Sequence, residues 1–126
     1  MHISRLAGFI IDCKTEDLAR AAEFWSSALG YSLKSAEREP SPIYRQLDTG
    51  PSGLHIEVQQ VQHASRVHLD IEADDIEAEV KRLEALGAKR VEHIHTWWVM
   101  EAPTGQRFCV VRVQREDFAE NANEWS

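Results

Sequence analysis

The sequence predicts an α+β fold of two tandem β-α-β-β-β modules, and the main reason is that the chain repeats itself. Gly50-Pro51-Ser52-Gly53 leads into Leu54-His55-Ile56-Glu57, and Ala102-Pro103-Thr104-Gly105 leads into Gln106-Arg107-Phe108-Cys109, with the small, Pro and Gly positions in register. Upstream, Phe9-Ile10-Ile11-Asp12 aligns without a gap on Val67-His68-Leu69-Asp70. Each of these runs passes through an acidic helix start to Ala28-Leu29-Gly30 or Ala85-Leu86-Gly87. A repeat of about half the chain means two similar structural units. The expected organisation is a single domain over 1–126, with module one at about 6–61, module two at about 66–113 and an acidic C-terminal segment at 114–126.

Periodicity assigns the elements. After the first strand, Leu18, Ala21, Ala22, Trp25, Ala28 and Leu29 recur at helical spacing. Thr15 suits the cap, Glu16 and Asp17 suit the positive end of the helix dipole, and Gly30 suits the left-handed stop. In the second copy Asp74 and Glu77 read as a capping box, Ile76, Val80, Leu83 and Leu86 form the apolar stripe, and Gly87 ends the helix. Strands are expected at Tyr31 to Leu33, Ile43 to Asp48 and Leu54 to Val61, then at Lys89 to Ile94, Thr96 to Met100 and Arg107 to Val113. The Pro/Gly repeats are the turns before the last strand of each module. Ser35 to Pro42, the main length difference between the copies, reads as a surface excursion.

Composition narrows the function classes. At 126 residues the chain has the size of one domain, able to bury about two-thirds of its unfolded surface without disulfides. Cys13 and Cys109 both lie in apolar strand-like runs, and the start of the sequence has no secretion-signal pattern, so the expected compartment is the cytoplasm. No apolar run approaches the roughly 20 residues that span a bilayer, so no membrane partner is expected. The net charge of −7, with basic residues scattered among acids, argues against nucleic acid. A Gly-rich phosphate loop, a nucleophile elbow and a Cys-x-x-Cys pair are all missing from the sequence.

Alternation separates the two faces of each strand. In Arg66 to Glu72 the aliphatics point one way, toward a helix, and His68, Asp70 and Glu72 point the other. By the same rule Leu54, Ile56 and Val58 face the helix and His55, Glu57 and Gln59 lie opposite, while Phe108 and Val110 pack inward and Arg107 and Cys109 lie opposite. Such a polar face is either simply solvated or, if the two modules curl toward each other into a curved, mostly antiparallel sheet with the helices outside, it lines a central cleft. On the second alternative the ligand-binding residues are Ile10, Asp12, His55, Glu57, His68, Asp70 and Arg107. The site is then apolar at Ile10 and polar around Glu57 and His68, suited to a small planar organic molecule.

The paired modules resemble the vicinal oxygen chelate superfamily, most closely its glyoxalase-like domains, which are grouped with glyoxalase, bleomycin-resistance and extradiol dioxygenase-like proteins. The features that carry the resemblance are Phe24-Trp25 seven residues after Asp17, the Leu-Gly helix ends, Arg66-Val67-His68-Leu69-Asp70, and the strand entry Pro103-Thr104-Gly105-Gln106-Arg107-Phe108-Cys109. It covers about Leu6 to Val113. In enzymatic members of that superfamily a divalent metal is held by one residue on the first strand and one on the last strand of each module. Carried over, those positions are Ile10, Glu57, His68 and Cys109.

Ile10 cannot bind a metal and Cys109 stands where a carboxylate is usual, so the resemblance implies either no required cofactor or a divalent metal such as zinc at an incomplete site of Glu57, His68 and Cys109. Zn²⁺ accepts carboxylate, imidazole and thiolate, whereas Mg²⁺ is poorly served by them. The alternative is that Glu57 and His68 only hydrogen-bond and Cys109 only packs. Ala102 also replaces the Asp common in the family's turn, a local capping change.

Adjacent strand residues Trp97 and Trp98 must point to opposite faces, one into the core and the other lining the cleft or joining a subunit interface; the resemblance favours Trp97 as the recurring structural position, and it joins the expected ligand-binding residues. His93 and His95 share a face, a weak metal-pair signal that also fits a solvated edge. His63 and Asn121 receive no role. The segment around Phe118 and Trp125 is expected to be disordered, or else to dock on a partner subunit. Two functions follow from the resemblance. One is a glyoxalase/bleomycin-resistance-like protein, expected to be a homodimer, that binds a small aromatic or polar-planar molecule. The other is a metal-dependent lyase or dioxygenase with Glu57 as the catalytic carboxylate.

Overall fold

The computed structural model describes residues 1–35 and 41–126. Most of the excursion expected at Ser35 to Pro42 therefore lies outside the described residues. Among the described residues the chain is α+β, with eight strands and three short helices. Pairing is mixed and mostly antiparallel: the parallel pair β4 (Arg66–Ala73) and β7 (Arg107–Val111) stands beside the antiparallel pairs β2 (Tyr44–Leu47) with β3 (His55–Val61), β5 (Lys89–Ile94) with β6 (Trp97–Glu101), β6 with β7, and β1 (His2–Lys14) with β8 (Asn123–Trp125). The chain divides into two compact units, Phe9–Val67 and a second made of Met1–Gly8 with His68–Ser126. Strand β1 (His2–Lys14) passes from one to the other.

In the Phe9–Val67 unit, α1 (Leu18–Leu29) follows β1. Its cap is Asp17, whose carboxylate accepts from the Arg20 N–H, while Thr15 Oγ1 accepts from the Asp17 N–H at 3.0 Å. The expected cap thus moves two residues on, because Thr15 is used to shape the turn before it. Gly30 closes the helix at φ 78°, a left-handed angle that a side chain resists. β2 (Tyr44–Leu47) and β3 (His55–Val61) pair in a register that sets Gln46 opposite Glu57 and Tyr44 opposite Gln59. The strand expected at Tyr31 to Leu33 is reduced to a Leu33–Leu47 bridge with flanking hydrogen bonds from Lys34 to Gln46 and from Asp48 to Ser32. Leu18, Ala22 and Val58 form one buried cluster, and Ile11, Leu47 and Ile56 another, with Trp25 packed on both. The β3 aliphatics therefore face α1 as alternation requires, leaving His55, Glu57 and Gln59 on the other side.

The second unit contains β4 (Arg66–Ala73, from His68 on), α2 (Ile76–Ala85), β5 (Lys89–Ile94), β6 (Trp97–Glu101), β7 (Arg107–Val111), α3 (Phe118–Asn121) and β8 (Asn123–Trp125). Asp75, not Asp74, caps α2 through the Ala78 N–H, and Asp74 instead accepts from the Ile3 N–H at 2.9 Å. Glu77, expected in the capping box, pairs with Arg90. The helix ends as expected at Gly87, where Ala88 donates to Leu83 and Gly87 to Glu84. Val80 and Leu83 pack with Ala73, Met100 and Val110, joined by Ile71, Trp98 and Phe108.

Two expectations fail in this unit. Leu69 was expected to meet a helix but is 51% exposed, because α2 packs over β5, β6 and β7 rather than over the entry of β4, and Val67, the last residue of the other unit, is likewise 57% exposed against the same expectation. The C-terminal segment, expected to be disordered or docked on a partner, folds onto its own chain. Phe118 is buried, β8 pairs with residues 2–4 of β1, and Trp125 lies under Arg82. Its aromatic residues have apolar and hydrogen-bonding partners at hand, which offset the entropy that acidic composition alone would leave uncompensated.

Candidate functional site

The β4–β7 register brings the chemistry together. Asp70 lies opposite Cys109, and the neighbouring Ile71, Phe108 and Val110 turn the other way, into the α2-covered cluster. His68, two residues before Asp70, shares its face. The three donor atoms of His68, Asp70 and Cys109 all lie within 4.8 Å of one another, and His68 Nε2 stands 3.5 Å from Asp70 Oδ1. Asp70 and Cys109 are buried and His68 is half-buried.

β6 extends this face. Val99 pairs with Cys109 and Glu101 with Arg107, and the Arg107 guanidinium reaches the Glu101 carboxylate at 3.4 Å with both side chains more than a third exposed. Such a pair contributes little stability. Trp98 packs with Val110 in the helix-covered core and carries Arg90 and His93 against its ring. Trp97 therefore turns to the Cys109 side. Arg107, Trp97, Val99 and Val111 thus share the face of the polar trio.

Glu72, also on this face, serves the fold. Fully buried, it accepts from Arg5 Nε at 2.7 Å and from the backbone N–H groups of Gln114 and Arg115. His93 is stacked on Trp98, and His95 occupies the β5–β6 turn at φ 49°, so the two make no chelating pair.

The Phe9–Val67 unit carries a second polar group. His55 Nε2 is 2.6 Å from Glu57 Oε1, and His55 Nδ1 is 3.2 Å from the Gln46 amide. The carboxylate expected as a metal ligand and catalytic group thus has an imidazole partner from its own strand. Gln46 was not anticipated as part of it; the alternation of Tyr44-Arg45-Gln46-Leu47 was the available signal. Gln59 donates to the Tyr44 hydroxyl at 3.0 Å. Ile10 is buried, and Asp12 is buried with the Arg66 guanidinium at 3.6 Å and the His63 ring at 4.0 Å. Burial pushes the Cys13 thiol up from its ordinary pKa, a weak hydrogen bond with Trp25 opposing it, so this cysteine is a poor nucleophile.

Residues 8–111 match the family model for the glyoxalase-like domain. The chain belongs to the glyoxalase-like domain family. No curated relative matches in sequence. Among solved structures, this glyoxalase-like chain is similar to a Streptomyces coelicolor methylmalonyl-CoA epimerase in complex with 2-nitronate-propionyl-CoA, at 16% identity and a TM-score of 0.57, covering 87% of this chain and 94% of that one. It is also similar to a hypothetical protein from Bacillus halodurans, at 12% identity and a TM-score of 0.62, covering 90% and 96% of the two chains. A third similar structure is described as an NAD-dependent benzaldehyde dehydrogenase from Legionella pneumophila, at 10% identity and a TM-score of 0.61, covering 84% and 99%. At these identities the likeness establishes the vicinal oxygen chelate fold. No helix among the described residues is long and apolar enough to cross a membrane.

Proposed function

We propose that this glyoxalase-like chain binds a small, polar-planar organic molecule on the face of β4, β7 and β6, in the manner of a glyoxalase/bleomycin-resistance-like binding protein. The observation that carries the reading is the position of Arg107. A guanidinium held by a half-exposed pair with Glu101 stands on the same face as His68, Asp70, Cys109 and Trp97. Arg107 offers paired N–H donors to a carboxylate or carbonyl group, the indole of Trp97 offers a flat apolar surface to a ring, and Val99 and Val111 keep the floor between them apolar. The epimerase complex shows that a chain of this fold accommodates an organic acid derivative. A reducing cytoplasm suits a face that carries Cys109, and a homodimer belongs to the same reading, with sedimentation velocity as its check.

A second reading, a metal-dependent lyase or dioxygenase, is favoured by the grouping of His68, Asp70 and Cys109. A bound divalent ion supplies Lewis-acid polarisation of substrate oxygens. Glu57, the carboxylate expected to move a proton in such an enzyme, is paired with His55 at 2.6 Å within its own unit.

A thermal-shift screen of aromatic carboxylates and related metabolites tests the proposal. A ligand at 100 times its dissociation constant stabilises by about 2.7 kcal/mol. Hits are expected to lose most of their shift in Arg107→Ala; hits that stabilise both proteins equally place the ligand elsewhere, and conversion of a hit to product moves the chain to the second reading.

A further inference from the structure

We infer that β8 is an acid-sensitive latch: protonation of Glu79 releases residues 123–125 from the start of β1 while the rest of the second unit stays folded. Nothing in it depends on the organic-ligand reading, and the two can fail separately.

Three observations support the latch. Both anchors of Trp125 are held by one carboxylate. Ser4 Oγ accepts from the Trp125 indole N–H at 2.8 Å and donates to Glu79 Oε2 at 2.8 Å. The Arg82 guanidinium, 3.8 Å from the centre of the Trp125 ring, donates to both Glu79 oxygens at 2.8 Å. His2, opposite Trp125 in the β1–β8 register, places its Nε2 2.7 Å from Glu79 Oε1. The groups that face the carboxylate are thus His2 and Ser4 from β1, Arg82 from its own helix and, through Ser4 and Arg82, the Trp125 indole from β8.

The second observation is that Glu79 is fully buried, so water cannot replace what a proton takes away. A protonated carboxyl has lost its charge and has turned one acceptor oxygen into a donor, while Arg82 stays charged and can only donate. Ser4 and Arg82 must then reorient, and the support of the indole goes with them. Burial raises the Glu79 carboxyl, the Arg82, His2 and Ser4 hydrogen bonds lower it by more, and the latch therefore opens only as pH falls below the ordinary value of about 4.3. The third observation is that β8 has little else to hold it. It is three residues long, Asn123 and Glu124 are exposed, and its ladder covers only residues 2–4 of β1. The chain before it is secured elsewhere, since Phe118 is buried and Glu72 accepts from the Gln114 and Arg115 N–H groups. β8 can therefore leave as a local unit.

Proton–nitrogen NMR of the full chain, titrated from neutral pH into the acid range, tests the latch. The expected result is that the Trp125 indole signal and the amide signals of residues 123–125 move to unfolded positions in one step with a midpoint below about pH 4.3, while the amides of Val80 and Val110 keep their native positions. In Glu79→Gln the Trp125 indole signal is expected at its released position already at neutral pH, with the Val80 and Val110 signals native. Wild-type Trp125 and core signals that vanish together overturn the proposal, because the segment then has no transition of its own. A release midpoint above about pH 6 also overturns it, by assigning the switch to His2. So does a folded Glu79→Gln protein whose Trp125 signal stays native at neutral pH. If that variant does not fold, the wild-type titration decides alone.

Discussion

The indole N–H of Trp125 donates to Ser4 Oγ at 2.8 Å, while the Arg82 guanidinium lies 3.8 Å from the centre of the same ring. One aromatic side chain thus secures β8 to the start of β1 and to α2. A cation–π contact of this kind is worth about 0.5–2 kcal/mol and the hydrogen bond about 1 kcal/mol. Trp125→Ala is expected to cost about 2–4 kcal/mol in urea unfolding. Trp125→Phe, which keeps a ring beneath Arg82 and loses only the donor, is expected to cost about 1 kcal/mol. Equal losses in the two variants would show that the ring face contributes nothing.

Glu79 is fully buried and accepts from His2 at 2.7 Å, from Ser4 at 2.8 Å and from Arg82 at 2.8 Å. Burial pushes its carboxyl up, but the Arg82, His2 and Ser4 hydrogen bonds outweigh it and hold the pKa below the ordinary value. A depressed folded-state pKa contributes stability that is complete above the unfolded value of about 4.3 and is lost as pH falls through the folded value. The wild-type melting temperature is therefore expected to fall more steeply than that of Glu79→Gln below about pH 4.3. At neutral pH Glu79→Gln is expected to be less stable by about 3 kcal/mol, since Arg82 and His2 keep their places without the charge they face. Parallel slopes of melting temperature against pH in the acid range would refute this account.

Gly30 and Gly87 both hold left-handed angles at helix ends, yet they differ in their surroundings. A Cβ at Gly30 would meet nothing within 4 Å, whereas one at Gly87 would stand 3.1 Å from Pro103 Cγ in the turn before β7. Gly30→Ala is expected to cost about 1 kcal/mol from backbone strain alone, and Gly87→Ala more, since Pro103 must also give way. Denaturant midpoints of the two variants at matched slope provide the comparison, and a smaller loss at Gly87 would contradict it.

Met100 is fully enclosed by the α2-covered cluster. Met100→Ala is expected to cost about 2–5 kcal/mol, within the range for emptying a core site. Val99→Ala, one residue along on the opposite face, removes less buried volume and is expected to cost under about 2 kcal/mol. A reversed order of the two would mean that β6 presents its faces the other way round.

Much of the fold was legible because it rests on local and repeated signals. Helix stripes, left-handed glycines and period-2 alternation placed α1, α2 and most strands, and β5 matches its expected range from Lys89 to Ile94. What failed depends on contacts made far along the chain. The Asp74 capping box is preempted because Ile3 needs that carboxylate, and Trp125 finds its partners in Ser4 and Arg82. For the site, alternation put His68, Asp70, Arg107 and Cys109 on one face, and the family pattern drew attention to Glu57 as their companion. The parallel register, which sets Asp70 directly beside Cys109, is invisible to periodicity and appears only when two strands from distant parts of the chain are laid side by side.

Strand β1 carries a consequence for how the molecule is made. Its residues 2–4 pair with 125–123, and its first eight residues belong to the unit that otherwise begins at His68. During vectorial synthesis the Phe9–Val67 unit has its own strands and helix in hand early. The second unit's first segment leaves the ribosome before any of its companions, and the edge that residues 2–4 offer to β8 stays unclaimed until residues 123–125 arrive. An open strand edge held for that interval is a template for the wrong neighbour. The nascent state of this chain therefore carries a hazard of its own.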